Sequence, residues 1–469
     1  MYMIVAMPTT SGPGGSGASR GGWPRIAVPL AVVLGLVIVN VPELGSDPWD
    51  FRPGTPHVHG AFSPLVRAAH GHWDVGIMRA SALLGGLVAV LAIALIPLLR
   101  RRRARLVAAV ATGLACAALV LPGAALQAGL RQSTAPWFYT NDATYQTEIA
   151  GDLVDHGDLP YGHDFSRDGL ARFYSLDGSL TPASLDHVAL RHFAYFPGTV
   201  VLAGAWRLLP APLDDYRVLM ALATLALLPA ALVFPGPLWW RLSLGAVLSA
   251  NPLVVRAAWF GTVDGACLLA LTLAFGLASR RRYGSCAAAL ACAVLLKQFA
   301  LVAVPFLAIV VAAGAGRAGQ RRAAVIFAAI LAAGLLPFAA AGPHAFWDDT
   351  IAYGTQSYRI VGYGLAGLLL RAHVLHDRSG SYPFLALAVV LWLPVTAWLC
   401  VIARRRGDVA TAALGFALSM FLILYLARVF QVSHLAYPLT GLVCAALAVR
   451  PPVPSRQILE GGAGVPGGP

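Results

Sequence analysis

Charged residues are scarce in this chain: 12% of its 469 residues are Asp, Glu, Lys or Arg, where a soluble domain carries roughly 25%. With 58% hydrophobic residues and a mean hydropathy of +0.70, that shortage excludes both a soluble globular protein and a largely disordered one. Lysine is almost absent, Lys297 standing alone against 33 arginines, and the net charge is +13. The arginines nevertheless form no nucleic-acid-binding face. They sit in short clusters between apolar segments: Arg100 to Arg103 with Arg105, Arg280 to Arg282, Arg317 to Arg322, and Arg404 to Arg406. Basic residues anchor membrane helices in this way. Cysteine is sparse as well. Cys116, Cys267, Cys286, Cys292, Cys400 and Cys444 all fall in or beside apolar stretches without metal-ligand spacing. That excludes a disulfide framework and a zinc site and leaves small apolar core residues. There is no phosphate-binding loop of the GxxxxGK[ST] kind, no HExxH pair, no GxGxxG dinucleotide pocket within a βαβ unit and no GxSxG elbow between strand and helix. A soluble nucleotide-binding domain is excluded, so an enzyme built on this chain takes its substrate from the membrane.

What is present is a series of apolar segments that predicts an all-α polytopic membrane protein. Residues 1–24 and 451–469, the first rich in Gly, Ser and Pro, are expected to be disordered cytoplasmic tails around one transmembrane domain, 25–450. Segment 25–42 is expected to stay as an uncleaved anchor. Placing the arginine clusters in the cytoplasm orients every segment. Segments 25–42 and 106–130 run outward and 76–99 runs inward. Four segments, 193–209, 217–235, 238–250 and 262–279, then compete for an odd number of crossings before Arg280. At 13 residues, 238–250 is too short to span and is expected at the outer interface or re-entrant. Segments 283–297, 298–315 and 323–341 alternate, and 363–375 lies along the outer interface. Segments 382–403, 409–428 and 435–449 complete about 12 crossings. The expected protein is a multi-pass one of the plasma membrane with both termini cytoplasmic.

Two polar stretches then face outward, 131–192 and 342–362. The first carries nine of the 21 acidic residues and is far longer than an ordinary connector. In it Asn141–Asp142 follows the end of segment 106–130. A carboxylate at the membrane surface can take a proton from a substrate hydroxyl, or ligate a divalent cation, or simply cap a helix. No cofactor is demanded by the pattern; a divalent cation on Asp142 or Asp264 is compatible with it. Tyr145 and Glu148 follow on the same amphipathic stretch, with Asp152 and Asp155 as solvated surface carboxylates. His163–Asp164 follows a Gly-Asp-Leu-Pro-Tyr-Gly turn, where substrate contact and turn stabilisation both remain open. Tyr195–Phe196–Pro197–Gly198 reads as an aromatic belt. Asp264 opens segment 262–279, where an ionisable group is costly, and either caps the helix or reaches substrate. Lys297 with Gln298 has no acid near it in sequence and suits an anion such as phosphate, with snorkelling as the alternative. Tyr358–Arg359, and Arg428 with Gln431 and His434, add polar groups at outer helix ends.

The ordered stretches NDATYQTEIAGDLVDHGDLPYGHDF, HFAYFPGTVVLAGAWRLLP, ANPLVVRAAWFGTVDGACLLALTLAF and LLKQFALVAVPFLAIV resemble the GT-C superfamily of integral-membrane glycosyltransferases. Within it they are closest to the family-87-like, polyprenyl-phosphate-dependent mannosyltransferases, over residues 130 to 440. The resemblance implies a GT-C-like fold with a large extracytoplasmic first catalytic loop and short interfacial helices. It implies an inverting transfer of a sugar, mannose-like, from a polyprenyl-phosphate donor to an extracytoplasmic glycan, lipid or protein acceptor. Asp142 matches the catalytic base and Lys297 with Gln298 matches a conserved-type lysine–glutamine stretch. Where the superfamily carries an acidic pair, this chain has Asn141–Asp142. The alternative is a transporter or flippase of a lipid-linked or anionic substrate, a class that carries mid-membrane charge and internal repeats; mid-membrane charge is scarce here and no repeat is visible.

Overall fold

The computed structural model describes residues 23–43, 57–134, 138, 140–175 and 181–449. The two expected tails lie outside the described residues, apart from Trp23 and Pro24. Almost everything described is helical, as runs of Ala and Leu without backbone partners from outside require. From the N-terminus, α1 (Trp23–Glu43), α2 (Val75–Leu95) and α3 (Arg101–Ser133) pack together. α4 (Asp142–Asp155) and α5 (Pro197–Arg207) belong to the first polar stretch and its exit. The centre is built from α6 (Tyr216–Ala231), α7 (Leu238–Ala250), α8 (Pro252–Trp259), α9 (Gly265–Ser279) and α10 (Tyr283–Leu296). Then come α11 (Val304–Gly314), α12 (Arg317–Ala341), a π-helical stretch Asp348–Ser357, α13 (Leu365–Arg371), α14 (Leu393–Arg406), α15 (Val409–Leu426) and α16 (Ala436–Ala448). Among the described residues the one strand pairing is parallel and short, Val361–Gly362 on Val429–Phe430.

Among the described residues, six helices are long and apolar enough to cross a membrane: Trp23–Val41, Val75–Leu98, Arg101–Ser133, Arg317–Ala341, Phe384–Arg406 and Val409–Leu426. The count reaches seven when α7 and α8, bent by 42° at Asn251, are one span. The remaining apolar helices have 10–17 residues, so length alone does not yield the twelve crossings that hydropathy suggests.

The helices share a polarity. Tyr161, in the first polar stretch, packs on Phe338 near the end of α12 and on Phe346 just beyond it. Arg131, at the last turn of α3, reaches Glu148 of α4 and Asp215 at the start of α6. These ends gather under one cap. The arginine clusters lie at the opposite ends of α3, α9, α12 and α14, where Arg280 donates to the carbonyls of Val233 and Phe234 below α6.

The cap is not a loose loop. Phe165, Leu170, Phe173, Leu190 and Phe193 are fully buried in a core of its own. α4 and α5 approach so closely that a Cβ on Gly151 would lie 2.8 Å from the Gly204 nitrogen, and one on Gly204 would lie 2.6 Å from Asp155 Oδ1. That approach also corrects the expected topology. At its start α5 touches the last turn of α10, with the Thr199 hydroxyl donating to the Leu296 carbonyl. At its end Arg207 pairs with Asp152 (2.7 Å) and Glu148 (3.3 Å) of the cap. Both ends of α5 therefore stay at the cap, and segment 193–209 does not traverse the bundle. Segment 238–250, expected to lie outside it, instead continues through the Asn251 bend into α8. Asn251 caps α8 by accepting the Val254 N–H while its amide donates to the Val247 carbonyl of α7, so one residue ends one helix and starts the next. The six cysteines are free, and Cys292 is exposed where a core position was expected.

Candidate active site

Of the roles that the sequence left open at Asn141–Asp142, the cap falls to Asn141, its side-chain oxygen accepting the Thr144 N–H at 3.2 Å. Asp142, at the first helical position, is half-buried and released from capping. Its Oδ1 accepts the Ala143 N–H (2.8 Å) and its Oδ2 accepts the Tyr174 hydroxyl (2.9 Å). Burial pushes the carboxyl above its usual range, against the downward pull of the Tyr174 and Ala143 hydrogen bonds. Tyr174 lies flat on His187, ring centroids 3.8 Å apart and planes 3° from parallel. His187 Nδ1 accepts the Ala189 N–H (3.2 Å), which puts the imidazole proton on Nε2. Burial, then the Arg359 charge, lower the His187 pKa to about 4, so its ring is neutral near pH 7.

The second polar stretch closes the other side. Tyr353 and Tyr358 meet edge to face at 5.0 Å. Burial first, with the Asp142 carboxylate among the charges acting on both, holds their phenols above the usual range. His192 stacks on Tyr353 at 4.6 Å and bonds through Nδ1 to Asp349 Oδ1 (2.8 Å). Arg359 is exposed and has no hydrogen bond among the described residues. Two stretches some 200 residues apart thus meet around one carboxylate.

A second cluster lies beside it. Lys297, expected as an anion contact, is instead buried and paired with Asp264, whose Oδ1 also accepts the Tyr437 hydroxyl (2.8 Å). The ammonium faces the rings of Phe299 (5.0 Å), Tyr195 (5.5 Å) and Tyr437 (5.6 Å). Asp264 makes no side-chain cap hydrogen bond, so capping does not explain it either; the ion pair does. Tyr195, expected in an aromatic belt, stands between the clusters: burial, then Asp264 and Asp142, raise its phenol well above the usual range. His434 is buried against Phe299 and its Nδ1 accepts the Gln431 N–H (3.4 Å), a local turn closure.

The other predicted residues have partners within the fold. Glu148 is buried on the far side of α4 between Arg131 and Arg207, and accepts the Tyr216 N–H (2.9 Å). With Asp215 bidentate on Arg217 (2.9 and 2.6 Å), these groups fasten the cap to the bundle. The Glu148 carboxylate, expected to contact substrate, is thus engaged by two guanidinium groups and a backbone N–H. Tyr145 donates to the Asp168 carbonyl and His163 bonds the Asp168 carboxylate (2.8 Å). Asp164 is exposed and accepts the Ser166 N–H (3.1 Å), the turn-stabilising role. Arg428, expected to bind phosphate, is buried and donates to the carbonyls of Tyr358 (2.8 Å) and Gly380 (3.1 Å). Gln298 ties the carbonyls of Ala194 (2.7 Å) and Thr350 (3.4 Å) together.

Sequence reasoning missed Tyr174, His187, His192, Asp349 and Tyr353, because each reaches Asp142's neighbourhood from a different turn. The one available signal was the density of His and Tyr in the two polar stretches. Among the described residues no group of three or more His, Cys, Asp or Glu is placed to hold a metal ion, and Asp142 and Asp264 belong to different clusters. Comparison with protein-family models, with curated proteins and with solved structures gives no match for the chain.

Proposed function

We propose that the chain is an inverting, multi-pass membrane glycosyltransferase of the GT-C kind. It moves a sugar, mannose first, from a polyprenyl-phosphate donor to a hydroxyl of an extracytoplasmic glycan, lipid or protein. The observation that carries this reading is Asp142, a desolvated carboxylate oriented by Tyr174 where two polar stretches meet, at the helix ends opposite the arginine clusters. The six long helices, the α7–α8 pair and the five shorter apolar helices, each taken as a crossing, make twelve. Arginine clusters in the cytoplasm then put both termini inside and the cap outside.

In the reaction, the acceptor hydroxyl gives its proton to Asp142 while its oxygen bonds to the anomeric carbon. The bond from that carbon to the phosphate oxygen breaks, and the lipid phosphate leaves with the electron pair. A single displacement inverts the centre. A carboxyl raised by burial is a better base than a solvated one, since its pKa moves toward the working pH. Arg359 is the cation for the departing phosphate, being exposed beside the cluster. Lys297 and Arg428 have other partners and act by positioning helices.

A transporter reading draws on the buried Lys297–Asp264 pair and on the α7–α8 bend at Asn251, since discontinuous helices and buried charge mark transport sites. The two separate in one system. Purified protein in nanodiscs is given radiolabelled polyprenyl-phosphate mannose, glucose or arabinose and a soluble acceptor, with and without chelator, and the product's anomeric configuration is read by NMR. Inverted product supports transfer. No product from any donor, together with lipid movement in proteoliposomes that Asp264→Asn abolishes, supports transport.

A further inference from the structure

His192 and Asp349 have no assigned part in the chemistry above. Asp349 is 1% exposed and both its oxygens are engaged, Oδ1 by His192 Nδ1 and Oδ2 by the Gly162 N–H (2.8 Å). The Gly162 N–H donates to Oδ2, and an ionised carboxylate accepts at Oδ1 as well. With Asp349 as the carboxylate, His192 donates through Nδ1, and in the neutral ring Nε2 then carries the lone pair. Tyr353 stacks on one face of the ring, and Gln146 holds the residue's backbone carbonyl (2.9 Å). Its side chain is 23% exposed, and Nε2 has no hydrogen-bond partner among the described residues. Through its stacking on Tyr353, His192 joins the Tyr353–Tyr358 pair, and the Asp142 charge acts on both phenols. His187 presents the opposite tautomer, Nε2–H.

We propose that the Asp349–His192 dyad is a sugar-binding element of this site: the Nε2 lone pair accepts a hydrogen bond from a hydroxyl of the substrate, and Asp349 positions it by fixing the tautomer. A carboxylate-oriented imidazole with one open nitrogen is how proteins prepare a directed acceptor. The inference rests on reading the Asp142 cluster as the substrate site.

The test is carbethoxylation by diethyl pyrocarbonate, which attacks an imidazole lone pair, with each histidine followed by mass spectrometry on the wild-type protein in nanodiscs. His192 is expected to react and to be protected by polyprenyl-phosphate mannose but not by bare polyprenyl phosphate. Protection by methyl mannoside alone assigns the hydroxyl to the acceptor rather than the donor sugar. In Asp349→Asn, the Gly162 N–H takes the amide oxygen and the amide NH₂ faces Nδ1, which reverses the tautomer and should abolish reaction at His192. Loss of reaction while the melting temperature is kept is a change that a merely structural Asp349 would not produce. A His192 that does not react, or that sugar-bearing ligands leave unprotected, overturns the proposal. Protection without any transfer by the wild type retains the binding element and removes the glycosyltransferase reading instead.

Discussion

Tyr174 donates a hydrogen bond to Asp142 (2.9 Å), and under the proposed transfer the rate profile should report that contact. The proposed reaction needs the carboxylate ionised, and burial has raised its pKa. The acid limb of transfer against pH should therefore lie above the ordinary carboxylate range of about 4. Tyr174→Phe removes the hydrogen bond that lowers the pKa, so the limb should move further up in pH; a limb unmoved by that substitution would separate Asp142 from the measured base. His187 works in the opposite direction on stability. Its folded pKa, about 4, lies below the unfolded value near 6.5, so the unfolded chain binds a proton first as pH falls. Melting temperature should drop between about pH 6.5 and pH 4, and His187→Gln should flatten that drop. At Lys297, removing one partner of a buried ion pair leaves the other charge unpaired, a loss of about 3–5 kcal/mol. Lys297→Met should thus be much less stable than the double variant Lys297→Met with Asp264→Leu, as read by thermal melting; equal losses would place the pair's importance elsewhere. A cap at this point was legible because a cap needs only its own next three residues, but it was expected on the Asp142 carboxylate and falls on Asn141. The Lys297–Asp264 pair was not, because its partners are 33 positions apart and nothing in either local pattern names the other.

Elements follow the same divide between local and distant causes. Apolar segments gave helix positions within a few residues, since a backbone among apolar side chains has no alternative to helix. Which helix traverses was less legible. The 238–250 segment looked too short at 13 residues, whereas Asn251 serves both helices at a 42° bend and α8 continues the path. The 193–209 segment looked long enough, but its end residue Arg207 is committed to Glu148 and Asp152. The α4–α5 contact depends on Gly151 and Gly204, which leave no room for a side chain. Gly204→Leu should separate the two helices, lower the melting temperature and lose transfer, because overpacking a close contact costs at least about 1–3 kcal/mol. Gly157→Ala, at a turn where a Cβ meets nothing within 4 Å but φ is +85°, should cost less, at most a few kcal/mol of local strain.

At the scale of the whole molecule, the fold separates two kinds of surface. Arginine clusters occupy one end of the bundle, and a folded acidic cap with its own aromatic core occupies the other. Composition and charge spacing were enough to anticipate that division. The interior of the site was not, because it is assembled from turns at 141–142, 174, 187, 192, 349–359 that no period or motif links. A membrane-impermeant maleimide should label Asp164→Cys in the cap from outside intact cells and Arg405→Cys only after permeabilisation; the reverse pattern would invert the topology. The most direct measurement of the central claim is sugar transfer from polyprenyl-phosphate donors by the purified protein, wild type against Asp142→Asn. The account predicts product from the wild type and a loss of roughly 10²–10⁴-fold in a variant that melts as the wild type does. Transfer by Asp142→Asn at the wild-type rate would contradict it.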